Sequence, residues 1–154
     1  MSGSRTVSPA ATSTTRTAKP SASDARGVHV ERAETAALPP VHADPDLISQ
    51  LLLGLLGNAA EAMVAGGTIR IHASAANGVV QLHVSDSGPG VPAEIRERIF
   101  EPFFTTRSRG TGLGLAVARQ IVEAHGGRIA VGAADSGGAR FTLTLPAAAS
   151  VLAA

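Results

Sequence analysis

Residues 68–86, TIRIHASAANGVVQLHVSD, contain two segments of alternating polarity on either side of the dipeptide Asn77-Gly78. Apolar residues recur at every second position in both segments, which is typical of β-strands that bury one face. Asn-Gly is the preferred dipeptide for a two-residue turn between antiparallel strands. The stretch therefore predicts a β-hairpin, and the other predicted elements are placed around it.

A helix is predicted immediately before this hairpin. Asp44 is a suitable N-cap, and Pro45 fits the first helical turn. The helix is expected to end at Gly66-Gly67. Its apolar positions repeat with helical spacing at Ile48, Leu51, Leu52, Leu55, Ala59 and Ala62.

A second helix is predicted over roughly 112–124, with a stop at Gly126-Gly127. The loop that leads to it contains a short helical piece at 93–99, and an edge strand is expected at 28–31. Two further strands, 128–132 and 140–145, form a second hairpin. The apolar face of the second helix is expected to carry Leu113, Val117, Ile121 and Ala124.

The order of these elements is strand, helix, two strands, long loop, helix, two strands. Antiparallel pairs separated by helices predict an α+β fold, a two-layer α/β sandwich rather than a doubly wound sheet. Its domain is expected at residues 27–147, with a loose C-terminal tail at 148–154. Residues 1–26 are rich in Ser, Thr, Ala and Pro without apolar periodicity, which predicts a disordered tail or linker.

Composition excludes several classes of function. The formal net charge is +1 and no basic run is present, so no nucleic-acid partner and no attraction to an anionic membrane is expected. The absence of Cys excludes disulfides, thiolate metal sites and Cys nucleophiles. No stretch is apolar enough for a membrane-spanning helix, and no secretory signal follows Met1, so a cytoplasmic location is expected.

Asp86 is the first candidate for a binding residue. It has the same parity as Val80, Leu82 and Val84, so its carboxylate is expected to face the core at the end of its strand. A buried carboxylate needs hydrogen-bond donors, and the exocyclic amine of adenine is one such donor. The alternative is that Asp86 only caps the turn that follows, in which Gly88 and Gly90 permit close approach to the backbone.

Two further features fit a nucleotide. Asn58 shares a helical face with Gly54 and Glu61, which is either plain solvated surface or a place where an amide oxygen meets Mg²⁺. The glycine-rich run 110–114, at the start of the second helix, can bind phosphate through exposed N–H groups and the helix dipole. Three of the four Phe lie between the two glycine clusters, as in a lid held by an apolar anchor.

In this order, the motifs resemble the ATP-binding catalytic domain of bacterial sensor histidine kinases, in the GHKL superfamily. Residues 55–63 resemble its N box, 86–90 its first glycine box, 100–106 its F box and 110–114 its second glycine box. His125-Gly126-Gly127 and the ending Phe141-x-x-x-Leu145-Pro146 also match the family pattern. The resemblance covers about 28–146, and it implies a mixed sheet with helices on one face and an ATP lid.

The resemblance also implies roles for individual residues. Asn58 is the implied Mg²⁺ ligand, Asp86 the adenine reader, and Gly88 and Gly90 the adenine-side wall. The implied lid over the triphosphate contains Thr105, Thr106, Arg107, Gly110, Thr111, Gly112, Leu113, Gly114 and Leu115. The implied substrate and metal are ATP and Mg²⁺. The implied partners are a His-bearing dimerisation hairpin and, through it, a response regulator.

Three departures from the family pattern matter. Gly54 stands where the N box often has Asn and where hydrolysing relatives have a Glu base, so low intrinsic ATPase activity is expected. Ala139 stands where a Thr is frequent. None of the five His lies in the helical His-Glu/Asp motif of a phosphoacceptor, so no catalytic residue is identified and a partner is required. An anti-sigma-factor-type Ser/Thr kinase and a non-catalytic nucleotide-binding module remain alternatives.

Overall fold

The structure is a computed structural model that describes residues 5–7, 27–33, 37–104 and 114–148. In this part of the chain, two α-helices, α1 (Pro45–Ala62) and α2 (Gly114–Ala124), accompany seven strands. Two short 3₁₀ turns, Ala93–Ile95 and Arg98–Phe100, follow the fifth strand. The strands are β1 (Arg5–Val7), β2 (Val28–Arg32), β3 (Val41–Ala43), β4 (Gly67–Ala76), β5 (Val79–Asp86), β6 (Arg128–Ala133) and β7 (Ala139–Pro146).

Five strands form one mixed sheet in the order β2-β4-β5-β7-β6. β2 pairs in parallel with β4, whereas the other neighbours pair antiparallel. The predicted hairpin is β4–β5, and Asn77 and Gly78 both have positive φ, 55° and 78°, as its two-residue turn requires. β2 lies at an edge of the sheet, as expected for the segment 28–31.

Both helices cover the same face of the sheet, so the prediction of a two-layer sandwich is confirmed. The inward positions of β4, β5 and β7 alternate with outward polar positions, since neighbouring residues on a strand point to opposite faces. Side chains from both helices and from four strands, β2, β4, β5 and β7, share one apolar core. Its largest fully buried members are Phe141, Leu51, Leu55, Ile69, Leu143, Val84 and Val122.

Helix α1 begins as predicted but ends earlier. The Asp44 carboxylate accepts hydrogen bonds from the N–H groups of Asp46 and Leu47, at 2.9 and 3.4 Å. The helix ends at Ala62, so the prediction that Gly66-Gly67 stops it is wrong. Those glycines turn the chain into β4, and a side chain at Gly67 would collide with Met63 and with Ser87.

The apolar face predicted for α2 is also wrong in part. Ile121 is buried, but Val117 is 38% exposed and Ala124 lies on the exposed side. The buried residues are Ala116, Ala118, Ile121 and Val122, because the helix packs against α1 and the sheet together and small Ala side chains allow that approach. Leu113, the fourth residue of the predicted face, lies outside the described residues.

The ends of the chain add two contacts. Within the predicted tail 1–26 the structure describes only 5–7, which form β1 and pair antiparallel with β3. Beyond β7, Ala147 and Ala148 are buried, and their N–H groups donate to the carbonyls of Gly78 and Pro40, at 2.9 and 2.7 Å. Ala148 therefore packs against the described domain, and the predicted domain and tail boundaries stay predictions.

The outer face of the sheet carries polar side chains. His72 and His83 lie opposite each other on β4 and β5, and their rings stack at 6.0 Å between centroids. A hydrogen bond of 3.0 Å joins His83 Nδ1 to the Thr142 hydroxyl on β7. Partial burial, helped by the positive charge of Arg140 and by His72, lowers the pKa of His83 below 6.5. His83 is therefore held mainly in its neutral form near pH 7.

Candidate nucleotide-binding site

Asp86 is the centre of the candidate site. It is the one charged residue that is fully buried in the described chain, with 4% of its surface exposed, so the prediction from strand parity is confirmed. Its Oδ1 atom accepts hydrogen bonds from the N–H groups of Gly88 and Ala139, at 2.9 and 3.2 Å. The carboxylate therefore joins the turn that follows β5 to the first residue of β7.

The other carboxylate oxygen, Oδ2, takes no part in these two hydrogen bonds. Among the described residues nothing donates a hydrogen bond to Oδ2. A nearly buried, ionisable oxygen without an internal donor is costly to desolvate, and a ligand that donates a hydrogen bond removes that cost.

The glycines after Asp86 are needed for close packing. Gly90 has a φ of 79°, and a Cβ on it would stand 3.3 Å from the carbonyl oxygen of Gly137. A Cβ on Gly88 would stand 3.1 Å from Asp86 Oδ1 and 3.2 Å from Met63 Cγ. The turn 86–90 is therefore fitted between the end of α1 and the β6–β7 turn, with no room for side chains at either glycine.

Ser87 fixes the opposite side of the same turn, and sequence reasoning assigned it no role. Its hydroxyl accepts a hydrogen bond from the N–H of Thr68 at 2.9 Å, and its own N–H donates to the Thr68 carbonyl at 3.1 Å. The hydroxyl also lies 3.5 Å from Met63 Sδ. Ser87 thus ties the turn to the start of β4 while Asp86 points to the other side.

Asn58 lies on α1 near this turn. It is half-buried, and it precedes Ala62 by four residues, which is about 6 Å along the helix axis. The carbonyl of Ala62 stands 3.6 Å from the position of a Cβ on Gly88. The structure therefore brings the helix that carries Asn58 against the Asp86 turn, one helical turn away from the amide.

The β6–β7 turn is the part of the site that the sequence did not indicate. The Ser136 hydroxyl donates a hydrogen bond of 2.8 Å to the main-chain carbonyl of Asp86. A Cβ on Gly138 would overlap the main-chain oxygen and Oδ1 of Asp86, so only glycine fits there. The main-chain N–H of Ala139, which stands where a Thr is frequent in the family, is one of the two groups that hold Asp86.

The phosphate side of the predicted site is described only in part. Gly114 is the first residue of α2 and is exposed, and Leu115 is half-buried against the core. The remaining predicted lid residues lie outside the described residues: Thr105, Thr106, Arg107, Gly110, Thr111, Gly112 and Leu113. Their assignment to the triphosphate stays a prediction.

His125 sets the direction of α2 relative to α1. Its Nε2 accepts a hydrogen bond of 3.1 Å from the N–H of Asp44, and its Nδ1 lies 2.6 Å from the Ile121 carbonyl. These contacts attach the end of α2 to the start of α1, and the helices pack against one another. They consequently run in opposite directions, so the N-terminus of α2 lies toward the half of α1 that contains Asn58.

Only part of the predicted Phe cluster is an anchor. Phe100 is buried and packs edge-on against Phe141, with 6.3 Å between ring centroids. Phe104 is half-buried beneath the Arg98 guanidinium, which lies 4.8 Å from its ring centroid. Phe103 is 76% exposed and has a positive φ of 66°. The first and last Phe of the predicted lid therefore attach it to the domain, whereas Phe103 does not.

The side chains of this site can hold a metal ion only when a bound nucleotide supplies further oxygen atoms. In the described part of the chain no three His, Asp or Glu residues are grouped so that they could hold a metal ion by themselves. Mg²⁺ commonly takes one or two protein oxygens and completes its octahedron with phosphate and water oxygens. The amide oxygen of Asn58 is a suitable single ligand of that kind.

No helix among the described residues is long and apolar enough to cross a membrane.

A two-layer α/β sandwich with a buried carboxylate beside glycine-rich turns is typical of a class of nucleotide-binding domains. Comparison with known families agrees with this geometry. The family described as histidine kinase-, DNA gyrase B-, and HSP90-like ATPase matches residues 43–149. The chain belongs to this family.

Two similar proteins are bacterial sensor kinases. The chain is 50% identical to the sensor histidine kinase ZraS of Escherichia coli O157:H7 over 109 residues, which are 71% of the chain and 24% of ZraS. It is 44% identical to the signal transduction histidine-protein kinase AtoS of Escherichia coli K12 over 110 residues, or 71% of the chain and 18% of AtoS. The chain thus spans about a quarter or less of these relatives.

Solved structures of the same kind superpose on the chain. The catalytic domain of histidine kinase ThkA matches with a TM-score of 0.71 and 38% identity, over 79% of the chain and 80% of that domain. Full-length ShkA, solved in complex with AMPPNP, matches with a TM-score of 0.70 and 37% identity, over 79% of the chain and 26% of ShkA. ThkA in complex with the response regulator TrrA matches with a TM-score of 0.66 and 35% identity, over 78% of the chain and 34% of that ThkA chain.

These comparisons confirm the resemblance drawn from the sequence. The chain is a histidine-kinase-type ATPase domain, homologous to the catalytic domains of two-component sensor kinases. The fold prediction of a GHKL-type sandwich is confirmed with it.

Proposed function

We propose that this domain binds Mg-ATP and donates the γ-phosphoryl group to a His on a separate dimerisation hairpin. The observation that carries the proposal is the buried Asp86 carboxylate, which is held through Oδ1 and has no hydrogen-bond donor to Oδ2 among the described residues. This geometry suits the exocyclic amino group of adenine, because the amino group donates and the carboxylate accepts. The binding of AMPPNP by the similar kinase ShkA supports the same reading.

The phosphates and the metal are assigned to the other side of the pocket. We assign Asn58 as a ligand of Mg²⁺, which neutralises phosphate charge and orients the leaving oxygens when it is bound. The proposed triphosphate contacts are the lid residues Thr105, Thr106 and Arg107 together with Gly110–Leu115. In support, the N-terminus of α2 lies toward Asn58, and exposed N–H groups with a positive helix end favour an anion there.

The acceptor His is proposed to lie on a partner domain. Four of the five His of this chain are on strands, His29, His42, His72 and His83, and His125 follows α2 with both ring nitrogens within hydrogen-bond distance of main-chain atoms. None of them is on a helix that could present a phosphoacceptor. The chain's own task is therefore to bind, orient and exclude water from the triphosphate, and transfer rests on positioning.

A response regulator is the proposed final receiver of the phosphoryl group. The complex of the similar kinase ThkA with the response regulator TrrA supports this partner. Because ATP is a cytoplasmic metabolite, the proposal includes a cytoplasmic location for the domain. Gly54, exposed on α1, offers no side chain to orient a water, so hydrolysis in the absence of the partner is expected to be slow.

The test of phosphotransfer uses γ-labelled ATP, Mg²⁺ and the isolated His-bearing hairpin of a related sensor kinase. We expect acid-labile, base-stable label on the hairpin, as for a phospho-His, and none on a hairpin whose acceptor His is replaced by Gln. Acid-stable label on a Ser of a partner would instead support an anti-sigma-type kinase. ATP binding without transfer to any hairpin would contradict the proposed activity and leave a nucleotide-binding module.

A further inference from the structure

We infer that Ser136, on the β6–β7 turn, is a positioning residue that sets the orientation of Asp86 and thereby the selectivity for adenine. The inference rests on the proposed role of Asp86 in reading the base. It concerns a residue 50 positions away in the chain whose hydroxyl donates a hydrogen bond to the main-chain carbonyl of Asp86.

The first step is the way the sheet ends at Asp86. The register of β5 with β7 stops at the pair Ser85 and Arg140, so Asp86 lies just beyond that ladder. The N–H of Ala139, the next residue on β7, donates to the carboxylate of Asp86. The side chain of Asp86 thus occupies a place that a main-chain acceptor takes in a regular antiparallel ladder.

The second step concerns the main-chain carbonyl of Asp86, which accepts a hydrogen bond from a side chain beyond the end of the β5–β7 ladder. The Ser136 hydroxyl lies 2.8 Å from the carbonyl oxygen of Asp86 and donates to it. The turn that carries Ser136 is itself closed by two hydrogen bonds, from Ala134 N–H to the Gly138 carbonyl at 2.8 Å and from Gly137 N–H to the Ala134 carbonyl at 3.0 Å. The hydrogen-bonded turn that carries Ser136 therefore helps to fix the orientation of the peptide group after Asp86.

The third step is the tight fit around this contact. A Cβ on Gly138 would overlap the Asp86 main chain, and a Cβ on Gly90 would stand 3.4 Å from the Gly138 carbonyl. Ser136 supplies the one side-chain hydrogen bond to the peptide after Asp86 from the described residues, and the Ser87 N–H of the same peptide donates to the Thr68 carbonyl. Loss of the Ser136 hydroxyl removes one of these two hydrogen bonds and allows the peptide to tilt, which shifts the Asp86 side chain and its Oδ2 atom relative to the base.

A selectivity measurement separates this role from a general effect on stability. Inosine triphosphate carries a carbonyl oxygen in place of the 6-amino group of ATP, so it presents an acceptor to Asp86 and tests base reading alone. The full chain and its variants are titrated with Mg-ATP and with Mg-ITP in a calorimeter. The variants are Ser136→Ala, Ser136→Thr, which keeps the hydroxyl, and Asp135→Ala, which removes an exposed ion-pair partner from the same turn.

We expect the wild type to prefer ATP to ITP by at least about tenfold, since a site built for a hydrogen bond rejects a base that lacks the donor. Ser136→Ala should reduce that ratio by roughly three- to tenfold, which is the size of one hydrogen bond. Ser136→Thr and Asp135→Ala should keep the wild-type ratio.

Equal weakening of both nucleotides by Ser136→Ala, or an unchanged ratio, would overturn the inference and leave the reading of adenine by Asp86 intact. A Thr variant that loses as much selectivity as the Ala variant would also overturn it. A wild type that does not distinguish ATP from ITP would instead refute the proposed base reading, and the inference with it.

Discussion

At the scale of the residue, the proposed site depends on two side-chain oxygens that we assign to different parts of one ligand. Asp86 is nearly buried, whereas Asn58 is half-buried one helical turn from the contact between α1 and the Asp86 turn. A carboxylate suits the donor groups of a base, and a neutral amide oxygen suits a hard cation that already carries phosphate ligands. In the proposed site, Asp86 therefore contacts the base and Asn58 contacts the metal.

Asn58→Ala tests the metal end. We expect the affinity for ATP to fall about tenfold in the presence of Mg²⁺, the loss of one ligand among several, and to change little when EDTA removes the metal. Calorimetry under both conditions measures the difference. Asn58→Asp, which retains an oxygen ligand, should restore metal-dependent binding.

Gln50→Ala, on the exposed side of the same helix, is the matched control and should behave as the wild type. An equal loss of affinity with and without metal in Asn58→Ala would exclude Asn58 as a ligand.

At the scale of the element, the sequence predicted what local chemistry determines. The hairpin turn at Asn77-Gly78 and the N-cap at Asp44 follow from residues that are adjacent in the chain, and both predictions are correct. The end of α1 and the buried face of α2 depend on which neighbours each helix meets. Gly66 therefore lies in the turn that leads into β4 and does not end α1. Val117 is partly exposed to solvent, although its position in the sequence matches the helical repeat of apolar residues.

His83, on the outer face of the sheet, should make the free energy of unfolding depend on pH. Partial burial, with Arg140 and His72 nearby, lowers the pKa of His83 in the folded state below the 6.5 of an exposed His. In the pH range just below 6.5 the unfolded chain therefore binds more protons at this position. The free energy of unfolding should accordingly fall as the pH drops below 6.5 toward the pKa of His83 in the folded state. It should be fully restored when the pH rises above 6.5.

His83→Gln should make this part of the pH profile shallower, because it removes the titrating group while keeping an amide that can reach Thr142. Urea unfolding at a series of pH values between about 5 and 8 measures it. His29→Gln, on the exposed side of β2, is the control. A profile that His83→Gln leaves as steep as that of the wild type would contradict the assigned pKa.

At the scale of the whole molecule, the site is assembled from three distant segments. The end of α1, the turn after β5 and the β6–β7 turn meet around Asp86, although Ser136 and Ala139 follow it by 50 and 53 residues. The sequence identified the first two segments because their motifs are local and ordered as in the family. It did not identify the third, because a Ser and a Gly in a hairpin turn carry no signal until the fold places them against Asp86.

The central claim is that the Asp86 carboxylate binds adenine, and titration of Mg-ATP into the full chain and into Asp86→Asn tests it most directly. Asn keeps the shape but puts an amide N–H₂ either toward the N–H groups of Gly88 and Ala139 or toward the amino group of the base, so donors face donors. We predict saturable binding by the wild type and by the exposed-site control Asp135→Asn, with a loss of at least about 100-fold in Asp86→Asn. Equal affinity of Asp86→Asn and the wild type, with both folded, would contradict the account.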